Sequence, residues 1–541
     1  MQQLPRQSSV IAPGGQLEQT PQNISRTSQR VTSYRLSHGP LVATCPDNQD
    51  SPETPRSVDT FVPWKSTRTI HTHSSGSNVI TDTSVGADGT PPDQTTATFS
   101  SESSLNGGDT SMALISRDIE LTVTIDVLAL RTESPHMTTL FLEHVECPGI
   151  TPFDSCNWEL AKRYIVHFGQ SCPAIHSCIT AVSALYKGHL YALPLSGAQS
   201  HYYSAKRHVD DLLNDHGKHF DLTLVAIFLL CLFEFIHAGD LTPHLQEPSP
   251  LLVRRLETWS QDVSSHSKLA LRIVAWLKIL QSSTTRGGAT GLLSKRVFRL
   301  LPSHDGPIPD VDSPPGHEAD ASNYLYQLLS GPIFHFYCRL QELSRQIAKL
   351  TLYHRSRTTS RDQQEVVNRM ASLKAQLHAL WESRSVTQSQ LADELRAQLA
   401  PTIASRLTTL ISICNAAYFA ELVEIGRQLG DPLSKLPDSR DALLKIRETV
   451  ERESTFGNQG SENNVNGGFL RALFLYAIES TEQVQIQWAV EKIAHIHPRI
   501  YRGQFFSEFA KSLSEAQIQK ERRVTSRYFC IWYFGVSPPY M

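Results

Sequence analysis

The chain has 541 residues, with 50 Lys and Arg against 53 Asp and Glu, a formal net charge of -3 and 40% apolar residues. That length permits a sizeable buried core. The near-neutral balance excludes bulk electrostatic gripping of nucleic acid, which needs clustered Lys and Arg, and it excludes an acidic solvating protein.

Residues 1–110 come first. They hold seven basic and ten acidic residues, so the whole charge deficit sits there and the remainder balances. Between 71 and 110, 16 of 40 residues are Ser or Thr, and the only aromatics of the stretch are Tyr34, Phe61, Trp64 and Phe99. Such a segment cannot bury enough apolar area to offset its ordering entropy. A disordered arm is expected, either a solvated tail or a phosphorylatable one. The opening Met-Gln-Gln-Leu-Pro-Arg starts no apolar stretch of the kind a secretory signal has.

From about residue 111 apolar residues recur at helical spacing. Pro173 stands where a first-turn proline would. Ile175, Ile179 and Val182 then fall on one helix face, as do Ala205, Val209 and Leu212. Leu222 to Ile236 is apolar all round, which marks a helix covered by others, and its length falls short of a bilayer span. Leu269 to Leu280 reads as another apolar helix. Residues 302–322, rich in proline and acid, read as a loop between two helical halves, 111–301 and 323–541. Patterning resumes with Tyr324, Leu328 and Leu329 and runs on from Phe334 to Leu352. Met370, Leu373, Leu377 and Leu380 share one stripe. Leu391 to Gly430 reads as one or two helices, and Phe469 to Ile496 as a further one with Val484 and Trp488 four apart. With no strand pairs or hairpin signals, the expectation is an all-α multi-helix array of roughly ten to fourteen helices.

The chemistry-bearing residue types form no catalytic constellation. Gly169-Gln170-Ser171-Cys172-Pro173 lacks the final Gly of a nucleophile elbow. Lys295 lies four residues past Gly291, so the Gly287 to Gly291 run is no phosphate-cradling loop but a helix connection. His71/His73, His216/His219 and His495/His497 lack the i, i+4 facing of a zinc pair. Cys172 and Cys178 are six apart, a poor ligand spacing. The nine cysteines include no C-x-x-C and read as reduced, buried thiols of an intracellular protein. Lys295, Arg296 and Arg299, and Lys520, Arg522 and Arg523, read as solvated helix ends, with nuclear import as the other reading. No catalytic, cofactor or metal residue is assigned.

Several stretches carry a family pattern. In order they are Phe141-Leu142-Glu143, Pro152-Phe153-Asp154-Ser155 with Trp158, and Cys172-Pro173-Ala174-Ile175-His176. Ala181 to Tyr186, Tyr203-Ser204-Ala205 with Leu212-Leu213, and Leu224 to Leu230 with Phe233-Glu234 follow. Together these stretches resemble the regulatory (middle homology) region of fungal transcription factors of the six-cysteine zinc-cluster class. Phe469 to Ile493 looks like the family's late helix, so the resemblance covers about 139–500. It implies an all-α regulatory fold, a nuclear location, and partners among related regulators, as homo- or heterodimers, and the transcriptional machinery. It implies neither an enzyme nor a membrane protein. The family's zinc-bearing head needs six thiolates within a short span, and only Cys45 precedes Cys147, so zinc is not expected here and DNA is reached indirectly or through a missing N-terminal module. The aromatic stretch Tyr528 to Phe534 fits no pattern of the family.

Two other functions stand beside this one. The first is an all-α enzyme of lipid or terpenoid chemistry, whose nearest acidic motif is Asp210-Asp211 with Asp215. The second is a helical scaffold unconnected with transcription.

Overall fold

The computed structural model describes residues 135–540, apart from 216, 218, 238–240, 263, 265, 287–289, 304–305, 314–319, 355–359, 430–436 and 457–463. The expected arm at 1–110, and with it His71, His73 and Cys45, lies outside the described residues.

Among the described residues there are eighteen α-helices and no strand. They are α1 (Pro135–His144), α2 (Thr151–Ser171), α3 (Pro173–Tyr191), α4 (Ser196–Asn214), α5 (Phe220–His237), α6 (Pro250–Gln261), α7 (Lys268–Thr285), α8 (Lys295–Leu300) and α9 (Ala321–His354). The second series is α10 (Ser360–Glu382), α11 (Val386–Ser389), α12 (Ala392–Gln398), α13 (Pro401–Leu429), α14 (Pro437–Phe456), α15 (Leu470–Glu479), α16 (Gln483–Ala494), α17 (Gly503–Lys520) and α18 (Ser526–Phe534). The array is all-α as expected, but the helix count exceeds the expectation. The excess comes from short helices such as α8, α11 and α12, which span too few turns to show a periodic stripe.

Local chemistry sets the helix ends. Pro173 occupies the first turn of α3, after Cys172 in extended backbone. Ser249, Ser267 and Ser294 cap α6, α7 and α8, each accepting from a backbone N–H in the first turn. Helix α9 runs 34 residues and continues through Pro332.

Helix α5 is the centre of the first part. Every residue from Thr223 to Ile236 is buried, and α3, α4 and α7 pack around it. Helices α5 and α13 are both long and apolar enough to cross a membrane. Length therefore does not exclude a span for α5, contrary to the sequence reading. Burial accounts for its composition instead, since 83% of its apolar window is covered by protein. Trp158 lies edge-on to Phe141, Phe228 and Trp276, contacts worth about 0.5–1.5 kcal/mol each beyond area burial.

Helix α9 carries the core onward, packing on α7 on one side and α13 on the other. Helices α13 and α14 form the closest pair of the second part, and α15, α16 and α17 pack together beside them. One hydrophobic cluster runs from Phe141 to Cys530. Of the predicted faces, Ile175, Ile179 and Val182, then Ala205, Val209 and Leu212, then Met370, Leu373 and Leu377 are buried, while Leu380 of the last stripe is half-buried against the core.

One predicted helix divides. Phe469 to Ile496 comprises a 3₁₀ turn, α15 and α16, with a break at Ser480 whose hydroxyl returns to Tyr476 O. Val484 is exposed and does not share a core face with Trp488.

Candidate functional site

The sequence-level candidates separate in space. Asp210, Asp211 and Asp215 lie at the exposed end of α4. Among the described residues no group of three His, Cys, Asp or Glu could hold a metal ion. His219, His495 and His497 are exposed, and His216 lies outside the described residues. Cys172 and Cys178 are buried at the start of α3, and the eight described cysteines are free thiols, six of them buried. Burial pushes the Cys178 thiol well up, which disfavours the thiolate a ligand needs. Gly291 joins α7 to α8 with φ +88, a conformation glycine adopts without strain. Gln281 then clamps the following turn, accepting from Leu293 N and donating to Leu293 O.

One basic cluster departs from its reading. Arg523 is not solvated. With Arg427 it holds the fully buried Glu479, and its Nη2 donates to Glu479 Oε2 at 2.7 Å. A solvated helix end and a buried ion pair look alike in sequence, because the partner lies 44 residues away.

Several residues of the resemblance turn out to be polar centres inside the core. Asp154 leaves helical geometry within α2, and its carboxylate takes a two-pronged grip from Arg272, at 2.6 and 2.7 Å. Trp276 Nε1 and Asn157 Nδ2 donate to it as well. Burial raises the Asp154 carboxyl above its ordinary range and Arg272 opposes that rise. Arg272 also donates to Ile308 O, Pro309 O and Asp310, and it stacks over the Phe334 ring. The proline- and acid-rich segment is thereby tied into the core at its middle. The family's tyrosine position also resolves: Tyr202 is buried and bonds Glu234, whereas Tyr203 is 54% exposed.

Two concavities deserve a functional reading. The first is a small cavity of about 70 Å³ lined by Arg286, Arg471, Arg502, Tyr337, Tyr501 and Tyr540 among others. Its arginines are already engaged. Arg471 grips Glu421, Arg502 donates to Ile236 O and His237 O at the end of α5, and Arg286 donates to Ser344 and Gln341. Burial lowers Arg286 to about 10, with Arg471 adding to the effect. These side chains close helix ends and join layers, as arginines commonly do with exposed carbonyls.

The second is a groove of about 1270 Å³ walled by α7, residues 298–303 with 306–310, α9, α10 and α11. Its floor is apolar, with Ile279, Phe298, Leu301 and Leu343, and Leu328 stands 61% exposed at its edge. Lys278, Arg299, Arg339 and Arg384 line it against Asp310 and Glu342. Both acids are already paired, with Arg272 and Arg345. The groove combines apolar area with surplus positive charge. No sequence signal found it, because its walls come from five separate segments.

Among the described residues the fold defines an all-helical domain. A family described as the fungal specific transcription factor domain matches residues 139–497, well over half of the chain, and the chain belongs to that family. The matched family is a transcription-factor domain and not an enzyme. No curated protein and no solved structure matches the chain. The match spans α2 to α16 in full, so α17 and the aromatic α18 lie beyond it.

Proposed function

We propose that this chain regulates transcription in the nucleus as a helical interaction module that reaches DNA through partners, pairing with related regulators or with a second copy of itself. The family match over 139–497 carries this reading. The chain's own cysteines support its second clause, because no six of them are closely spaced and a zinc cluster needs its ligands. Helix α18 supports the pairing. Phe529 and Cys530 are buried, while Tyr528, Ile531 and Trp532, at i, i+3 and i+4, stay exposed on one stripe. A contiguous exposed apolar stripe is the kind of surface partners cover.

Light scattering on the full chain tests the pairing: the wild type runs as a dimer and Trp532→Asp as a monomer. Tagged protein excluded from nuclei, together with an unchanged transcript profile on deletion, would sink the regulatory reading.

A further inference from the structure

The groove between α7, α9 and α10 holds an unusual polar residue. Gln388, at the end of the groove on α11, is 2% exposed, and neither its amide nitrogen nor its amide oxygen has a partner among the described residues. The His335 Nε2 atom, on the α9 wall, is also buried and without a partner. Buried polar groups are nearly always hydrogen-bonded, so an amide with both ends open inside a concavity points to a ligand that completes it. A primary amide offers one acceptor and a pair of donors on one plane, the complement of a peptide bond.

The charge around it is one-sided. Arg299 and Arg339 are exposed and make no ion pair among the described residues. Arg384 stacks on Trp381 and donates to its carbonyl, which fixes its guanidinium at the groove wall. The two acids of the groove are neutralised by Arg272 and Arg345 from behind. Between these cations lies the apolar floor of Phe298, Leu343 and Leu380.

We propose that this groove docks an acidic peptide segment of a protein partner, one that alternates carboxylates with large apolar side chains. The apolar side chains cover the floor, the carboxylates meet Arg299 and Arg339, and Gln388 hydrogen-bonds the peptide main chain. Charge complementarity and the open amide together select this occupant. A nucleic acid fits less well, because a duplex presents a phosphate charge about every 1.7 Å and makes no use of an apolar floor. The inference rests on the reading that the chain works through partners, and it names the chemistry of one of them.

The test measures binding of a short fluorescent peptide of Asp, Glu, Leu, Phe and Trp to the full chain by anisotropy. Two control peptides replace the acids by Asn and Gln, or the apolar residues by Ala. A labelled DNA duplex is the third probe. The acidic apolar peptide binds, and each control peptide binds about tenfold more weakly. Arg299→Glu with Arg339→Glu, both at exposed positions, weakens binding by about tenfold or more while the helical circular dichroism is retained. Gln388→Met weakens it about fivefold, the size expected of one or two hydrogen bonds. Equal binding to wild type and the double variant, no binding at all, or a preference for the duplex would each overturn the proposal. Transcript changes on deletion are read separately, so failure of the peptide test leaves the regulatory reading standing.

Discussion

The Tyr202 hydroxyl on α4 donates to Glu234 Oε1 on α5 at 2.7 Å, inside the core. His244 N donates to the same oxygen at 2.7 Å, and Oε2 has no partner among the described residues. Burial therefore pushes the Glu234 carboxyl from 4.5 up to about 7, with Tyr202 and His244 opposing. The folded chain keeps a proton here that the unfolded chain has released. Stability from this group is full below the unfolded value and is lost as the pH rises through about 7, by roughly 3 kcal/mol in total. Glu234→Gln removes this titration while leaving an oxygen for both donors. Thermal unfolding across about pH 5 to about pH 8 shows it: the wild type loses stability with rising pH, and the variant loses less. Parallel curves would contradict the assignment.

Arg272→Met strands the Asp154 carboxylate without its guanidinium. Removing one partner of a buried pair costs about 3–5 kcal/mol, since the remaining charge stays desolvated. Adding Asp154→Asn recovers part of the loss, because the neutral amide needs no counter-charge. Urea unfolding of the single and double variants reads the difference. Equal midpoints for both would show that the pair is not coupled.

Gly467 lies against the Tyr501 ring, and a Cβ there would sit 2.3 Å from Tyr501 Cε1. Tyr501 cannot withdraw freely, because it is buried and its hydroxyl donates to Glu146. Gly467→Ala costs about 1–3 kcal/mol by overpacking. Combined with Tyr501→Leu, the loss is smaller than the sum of the two single losses, which a double-mutant cycle measures. Strict additivity would mean that the two do not share the space.

Glu521 ends α17 with φ +49, a left-handed conformation that costs a residue with a side chain. It is exposed, so its side chain has no packing to lose. Glu521→Gly raises stability by about 0.5–1 kcal/mol, the usual gain of glycine at such a helix end. A lowered melting temperature would contradict this.

The sequence displays those parts of the fold that repeat. Stripes such as Met370, Leu373 and Leu377 are periodic, and the all-round apolar run of α5 needs only a window of residues to be seen. The resemblance placed Asp154, Trp158 and Glu234 in its order, but it could not say that they form polar centres. Asp154 is 118 residues from Arg272 and Asn157 is 153 from Asp310, and no local pattern records such pairings. The groove was invisible for the same reason. Gln388 looks like any polar residue of a short helix until its neighbours are known.

The bond from Asn157 to Asp310, and that from Val311 N back to Asn157 at 2.8 Å, have a consequence for anyone who divides this chain. Proline-rich stretches are habitual places to cut proteins into fragments. Here such a stretch is stitched to α2 through Asn157 and to α7 through Arg272. A fragment ending before residue 306 would strip Asn157 of its bonds to Asp310 and Val311, and Arg272 of those to Ile308, Pro309 and Asp310. A fragment beginning there would carry the stitches without the cloth. Two-hybrid baits or truncation series built on that boundary would report the behaviour of broken cores, not of separable functions.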